Sequence, residues 1–600
     1  MQLDFTNVYL GTSAQFYKIK KKITKKKISE VFKDISSEKI GGFLIRIIKE
    51  ELVVNQEVIL CSAVAYKIVS EPSFLDQTDI REEKYAFALI VEYDSAVAII
   101  KKHVSSLEKK FSEFLDEFEY EKFTNFQGRN DPEYEKVTMS NMAISDAVIR
   151  SRAYEARRLN GILSSNSSSR SIPQSFRIKV QGDTITLTPN ASRVTLRDKR
   201  SNLNEVVRWV MATVQEIKNL ANKSEFINGF ASPITLEEIV QKGFEPIAFF
   251  INLDELDELI RSGNSASEIK VLRGGGEEAM SPLQMKRLFD CFKTPAKVVA
   301  GGTMVFKGKE VSGAVTLQKR VASFKSKITD NILLYIENEQ CMSLTKYINT
   351  HKPFSIMFNT PKYAYFGRDC FEDKKLLNNL PAVLSIFNPN YDFSGVRSEK
   401  EKNEDRRYPP GIDKFPELSL FRKVEDLVCL PDGVTVCDDM NDEWADHIFF
   451  EPNANPPAIS FIHSKFVKGE SYGASSFHEV VAQGLKNIGR TFADTIEFRE
   501  KHDRDWAGFY ENTQITRVRG GKNWTDIENA LNAITSNQNS VRKIVLATPF
   551  LKKSVLETQF NELAQTGTCR PHYIQLIWLI NTFIGACKEY GVQPHILCNP

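Results

Sequence analysis

None of the nine cysteines (61, 291, 341, 370, 429, 437, 569, 587 and 598) stands in a CxxC pair, and an odd number cannot all be cross-linked. Zinc ribbons and a disulfide framework are therefore excluded, and the thiols are expected to be reduced and buried as small hydrophobes. The chain also lacks any apolar run of the ~18 to 20 residues that a membrane-spanning helix needs, so no membrane partner is expected. Its first residues, MQLDFTNVYLGTSAQFY, do not follow the basic-then-apolar order of a signal peptide, and the expected location is cytoplasmic. An excess of one charge is missing too: 79 Lys and Arg against 77 Asp and Glu leave +2. That balance excludes a uniformly basic nucleic-acid coat and makes any polyanion site local. Finally, neither glycine-rich stretch, RGGGEEAM (273–280) or VRGGKNWTD (518–526), carries the GK[ST] of a phosphate loop. Both read as turns, and no nucleoside triphosphate site is expected.

What is present is ordinary folded composition, 42% hydrophobic and 10% aromatic over 600 residues. That length suggests about three to five domains of mixed α/β and α+β type. Residues 1–135 read as an α+β domain, with a helix expected over 103–123 and seven lysines between Lys18 and Lys27. The lysine run reads as a solvated face or a polyanion strip. Residues 136–228 read as a helix over 143–162, a serine-rich loop, antiparallel strands and a second helix. Arg150, Arg152, Arg157 and Arg158 fall along the first helix, which would either track a phosphate backbone or pack against an acidic neighbour. Residues 229–395 read as an α+β middle domain. The stretch 396–412 is charged, poor in apolar residues and closed by Pro409-Pro410, as a linker would be.

From 413 to 600 the pattern is helix, three strands, helix and strand, extended by a further helix and strand. The strands are nearly continuous apolar runs, as expected for a sheet covered on both faces. Between 437 and 446 the chain places Asp438, Asp439, Asp442, Glu443 and Asp446, and the next strand ends on His463-Ser464-Lys465. The side-chain period of two puts His463 and Lys465 on one face, beside Asp446 of the preceding strand. Carboxylates with an adjacent lysine suit metal-assisted phosphodiester hydrolysis, because oxygen ligands hold a hard divalent cation and an ammonium offsets developing charge. The expectation is a nuclease. The solvated-turn reading of these acids is opposed by the cost of burying charge without a partner.

At these residues the segment resembles the PD-(D/E)xK, restriction-endonuclease-like nuclease superfamily, whose core is αβββαβ with an aspartate on the second strand and (D/E)xK on the third. The resemblance covers about 420 to 600. It implies Glu443, Asp446 and His463 as ligands of Mg²⁺ or Mn²⁺, His463 serving otherwise as general base. It further implies Lys465 as charge stabiliser and Gln483, on the following helix, as an orienting group. His463 stands where the superfamily has an acid, and imidazole favours Mn²⁺ over Mg²⁺. Lys486 and Arg490 would offer a basic approach for nucleic acid, DNA ahead of RNA. The same block resembles a sporadically distributed prokaryotic family associated with restriction and phage-defence genes, which implies antiviral defence as the setting.

Two other readings use the same residues. HSKFVKGE resembles the H-x-K-x4-D pattern of the phospholipase D superfamily with Glu470 in place of Asp, where histidine attacks phosphorus without metal. That chemistry needs two such motifs and hence a homodimer. A nucleic-acid-binding or sensor module on a degenerate nuclease core is the third.

Overall fold

A computed structural model of the chain describes residues 7–600 apart from 73, 76–78, 106, 119, 125–131, 142–150, 161, 163–170, 181, 198–199, 220–225, 252, 254–255, 257–259, 261–267, 293–294, 300–301, 307–308, 319–320, 337–340, 367–368, 374–375, 403–407, 410 and 441. The chain divides into two compact units, 1–141 with 151–232, and a second that takes in 233–600.

The first unit is built on an eleven-stranded sheet in which Ser13–Ile19 lies between Ala96–Lys102 and Arg193–Leu196. A helix over Leu203–Lys218 starts at Asn202, whose side chain and that of Glu205 cap each other's backbone N–H groups. It sets Val206, Val207, Val210, Val214 and Ile217 into the core that also holds Phe16 and Leu89. Two helices expected from the sequence are not formed over the residues described, 143–150 of the second lying outside them. Over the described part of 103–123 the chain makes a 3₁₀ turn (Glu108–Phe111), a strand (Leu115–Glu117) and a short helix (Tyr120–Thr124). The strand hydrogen-bonds to Ser13–Ile19, and this pairing overrides the helical spacing. Within 143–162, Ser151–Glu155 is a strand paired antiparallel with Glu133–Asn141, its burial alternating residue by residue. Period two, not 3.6, governs there, and Arg152 donates to the Ser171 hydroxyl at 2.9 Å. Arg150 and the serine loop 163–170 lie outside the described residues.

The second unit opens over 233–372 with a nine-stranded sheet and a four-stranded antiparallel one. In the latter, Gly274 and Gly275 take φ of 56° and 87° to turn the hairpin between Glu268–Arg273 and Gly276–Ala279, so RGGGEEAM is the expected turn. A six-stranded mixed sheet follows. Its elements are β1 (Phe387–Asn388), α1 (Leu420–Leu427), β2 (Val434–Cys437), β3 (His447–Glu451), β4 (Ala458–Ser464), α2 (Ala474–Lys486), α3 (Thr495–Lys501), α4 (Trp524–Thr535), β5 (Val541–Lys552), α5 (Lys553–Thr566), α6 (Pro571–Glu589) and β6 (Gln593–Asn599). The spatial order is β1-β6-β5-β4-β3-β2. β2, β3 and β4 form an antiparallel meander, and β5, β6 and β1 continue parallel to β4. The sequence of elements from α1 onward is the expected helix, three strands, helix, strand, with additions.

Both faces of this sheet are covered, which is why its strands carry no clean alternation. On one side Phe477, Val480 and Val481 of α2 pack with Ile527 of α4 and Leu556 of α5. On the other, Leu420 and Val424 of α1 meet Ile462, Val545 and Phe393. Leu376, Leu380, Val383 and Phe387 belong to the first of these cores. The fold of the C-terminal sheet thus begins upstream of 396.

The stretch 396–412 differs from a linker over the residues described. Arg397 donates its N–H to Leu418 O at 2.9 Å, and the N–H groups of Leu420 and Phe421 donate to Ser398 O (2.9 Å) and Glu399 O (3.1 Å). These two donors stand in the first turn of α1, where the helix offers them no internal acceptor, so the passing chain satisfies them. Its low apolar content reflects these main-chain and ionic contacts. Among the described residues no helix is long and apolar enough to cross a membrane.

Candidate metal centre

The residues from Asp438 to Asp446 form a loop closed at its base by the N–H of Asp438 donating to Asp446 O at 3.0 Å. Asp438 itself is fully buried and holds the loop together. Its carboxylate accepts from Trp444 N (2.7 Å) and Trp506 Nε1 (2.7 Å) and lies 3.3 Å from the Lys501 ammonium, which is 1% exposed. Burial pushes the Asp438 pKa up to about 6 against those stabilising contacts. Arg517 Nη1 donates to Cys437 O (3.0 Å) and Asp439 O (3.3 Å), and Asn487 Nδ2 to Glu443 O (3.2 Å).

So anchored, the loop brings Asp439, Glu443 and Asp446 together, with one carboxylate oxygen from each lying within 4.8 Å of the others. Asp446 is 6% exposed, and its Oδ2 accepts from the N–H of Ser464 at 2.6 Å. Burial, with the charges of Glu443, Asp439 and Glu399, raises its pKa well above the usual aspartate range in spite of that N–H. Glu443 is raised by burial and then by Asp439, with Lys400 and Lys486 acting the other way. For Asp439, burial is outweighed by Lys400, 2.6 Å away, and by the Tyr510 hydroxyl, which donates to it at 2.5 Å; its pKa is lowered. Three hard oxygen donors at this spacing fit a hard divalent cation, Mg²⁺ or Mn²⁺, and Asp439, Glu443 and Asp446 would hold it.

The structure therefore joins Glu443 and Asp446, as the sequence suggests, but adds Asp439 where His463 was expected. His463 follows Ile462, the partner of His447, on β4 and is 1% exposed. Its ring lies against α2, where a Cβ on Gly484 would stand 3.7 Å from Cδ2, and its Nε2 has no hydrogen-bond partner. Burial lowers its pKa to about 4, so the imidazole is neutral at pH 7. Lys465 pairs with Glu479 of α2 at 2.8 Å. Gln483 Oε1 is likewise buried without a partner. Lys486 and Arg490 line one open recess of about 300 Å³ with Phe492 and Glu497. Arg490 stacks over the Trp444 ring at 5.1 Å, so this recess adjoins the acidic loop. Arg157 and Arg158 are exposed and belong to the other unit.

Sequence reasoning missed Lys400 and Asp439. Asp439 had a signal, the Asp438-Asp439 pair directly after a strand. Lys400 had none, since it arrives at the site from the stretch that reads as a linker. The turn at Gly520 and Gly521 proves structural: Arg519 beside it donates to Glu425 of α1 (Nε, 2.8 Å), which also meets His447 Nε2 at 3.1 Å. Comparison with known protein families, with curated proteins and with solved structures returns no match to this chain.

Proposed function

We propose that the chain is a metal-dependent nuclease hydrolysing phosphodiester bonds, with a restriction-endonuclease-like core over the C-terminal sheet. The observation that carries this reading is the convergence of Asp439, Glu443 and Asp446 on one point beside β4. The order αβββαβ around them, and the cationic recess of Lys486 and Arg490, are in keeping with it. A divalent cation bound there would polarise a phosphoryl oxygen and make water more acidic. Asp439 is oriented by Tyr510 and Lys400, and Asp446 by the Ser464 N–H, so both carboxylates are fixed before any ligand arrives. Lys486 and Arg490 attract and place the phosphate backbone next to them. Neutral, buried His463 fits a packing role against α2 better than a ligand role.

The phospholipase D-like alternative has less support. It needs His463 to reach phosphorus, yet the ring is 1% exposed, and Glu470 of that pattern is paired with Lys552 at 2.8 Å. The test is cleavage of single- and double-stranded DNA and RNA with Mn²⁺ or Mg²⁺. Asp446→Ala and EDTA are each expected to lower cleavage at least ~100-fold, EDTA reversibly. Cutting that persists in EDTA sinks the metal-dependent reading, and binding without cutting favours the sensor module.

A further inference from the structure

Two lysines compete for the role of the site's cation. Lys465, on the (D/E)xK-like position, is engaged by Glu479, a half-exposed residue of α2. Lys400 is 2.6 Å from Asp439 Oδ2, the same oxygen that accepts from Tyr510. With both contacts on Oδ2, Oδ1 is the oxygen left for a cation shared with Glu443 and Asp446. Nothing about this placement is casual. The backbone just before it is tied to α1 through Ser398 O and Glu399 O, the ammonium lies 5.1 Å over the Phe421 ring, and Lys402 just after it meets both oxygens of Glu511 at 2.7 and 2.9 Å.

We infer that Lys400, delivered by the strap 397–402, is the cation of the acidic site in place of Lys465, and that it both positions Asp439 and limits how tightly the site holds a divalent metal. This rests on the metal-dependent reading for its catalytic part, but its metal-binding part stands apart from cleavage. The physical reason is Coulombic. An ammonium one contact away from the ligand oxygens opposes an incoming dication, and the effect is strong where water is scarce. The same charge, held rigidly, is available to a phosphoryl group brought against the site.

The experiment uses the full chain with Lys400→Met, Lys400→Arg and Lys465→Met, each checked for native circular dichroism. Mn²⁺ affinity is read by electron paramagnetic resonance and cleavage by gel. Lys400→Met is expected to bind Mn²⁺ about tenfold tighter while losing cleavage by ~100-fold. Lys400→Arg should keep wild-type Mn²⁺ affinity, and Lys465→Met should change neither readout by more than about twofold. If Lys400→Met does not fold, Lys400→Gln takes its place, since it keeps a donor to Asp439 without the charge. Loss of cleavage in Lys465→Met with retention in Lys400→Met overturns the inference, as does an unchanged Mn²⁺ affinity in the charge-removed variant. If the wild type cuts nothing, the nuclease reading fails and the Mn²⁺ comparison alone decides the place of Lys400.

Discussion

At the scale of single residues the site combines groups that titrate in opposite senses. Burial depresses His463 to about 4, so between that pH and the ordinary ~6.5 the unfolded chain takes a proton that the native one refuses. Stability therefore falls as pH falls through this window, by on the order of 2 kcal/mol at pH 5. Asp446 works the other way: its raised pKa keeps a proton on the native carboxyl, so its contribution is full below the unfolded value of ~3.9 and is lost as pH rises. Because the two oppose each other, the wild-type curve alone does not isolate either. His463→Gln removes one of them. Between pH 7 and pH 5 the variant is expected to lose less stability than the wild type, as read by urea unfolding. Parallel losses in the two proteins would mean that His463 is charged in the native state. At this scale the sequence was partly legible, since Glu443 and Asp446 stand out as acids next to an apolar strand. Lys400 could not be read, because its pairing with Asp439 depends on two segments meeting in space.

Among the elements, β2 to β6, α1, α2 and α6 could be read because long apolar runs and helical spacing there agree with where they end up buried, whereas α3, α4 and α5 are not among the expected elements. The failures share a cause. At 115–117 and 151–155 a neighbouring strand supplies backbone partners, and that pairing outweighs the local pattern. At 396–412 low apolar content suggests a linker, whereas the described residues there make main-chain and ionic contacts. A fragment beginning at 413 would lack β1 and the buried Leu376, Leu380, Val383 and Phe387. Losing large core side chains costs about 2 to 5 kcal/mol each, against a domain stability of about 5 to 15 kcal/mol. A fragment of residues 413–600 is therefore expected to show no cooperative urea transition, while 374–600 shows one. A cooperative transition in the shorter piece would return the boundary to the charged stretch.

For the whole molecule, the division into two units would make the proposed metal binding a regional event. Asp439, Glu443 and Asp446 all belong to the unit that takes in 233–600, whereas the lysine run at 18–27, Arg157 and Arg158 belong to the other. A ligand that binds only the native state stabilises it by RT ln(1 + [L]/Kd), about 2.7 kcal/mol at a hundredfold excess over Kd. In hydrogen exchange, Mn²⁺ at that excess is expected to slow the most protected amides of β2, β3 and β4 by up to ~100-fold, with no change in peptides from 7–141 or 151–218. The gain should grow as pH rises through the range in which the native Asp446 carboxyl gives up its proton, because a cation held there would bind the ionised form and the raised pKa lets the proton compete with it. Asp446→Asn should abolish the gain at every pH. Protection that appears equally in both units, or that survives this substitution, would place the cation elsewhere and remove the acidic loop from the proposed chemistry.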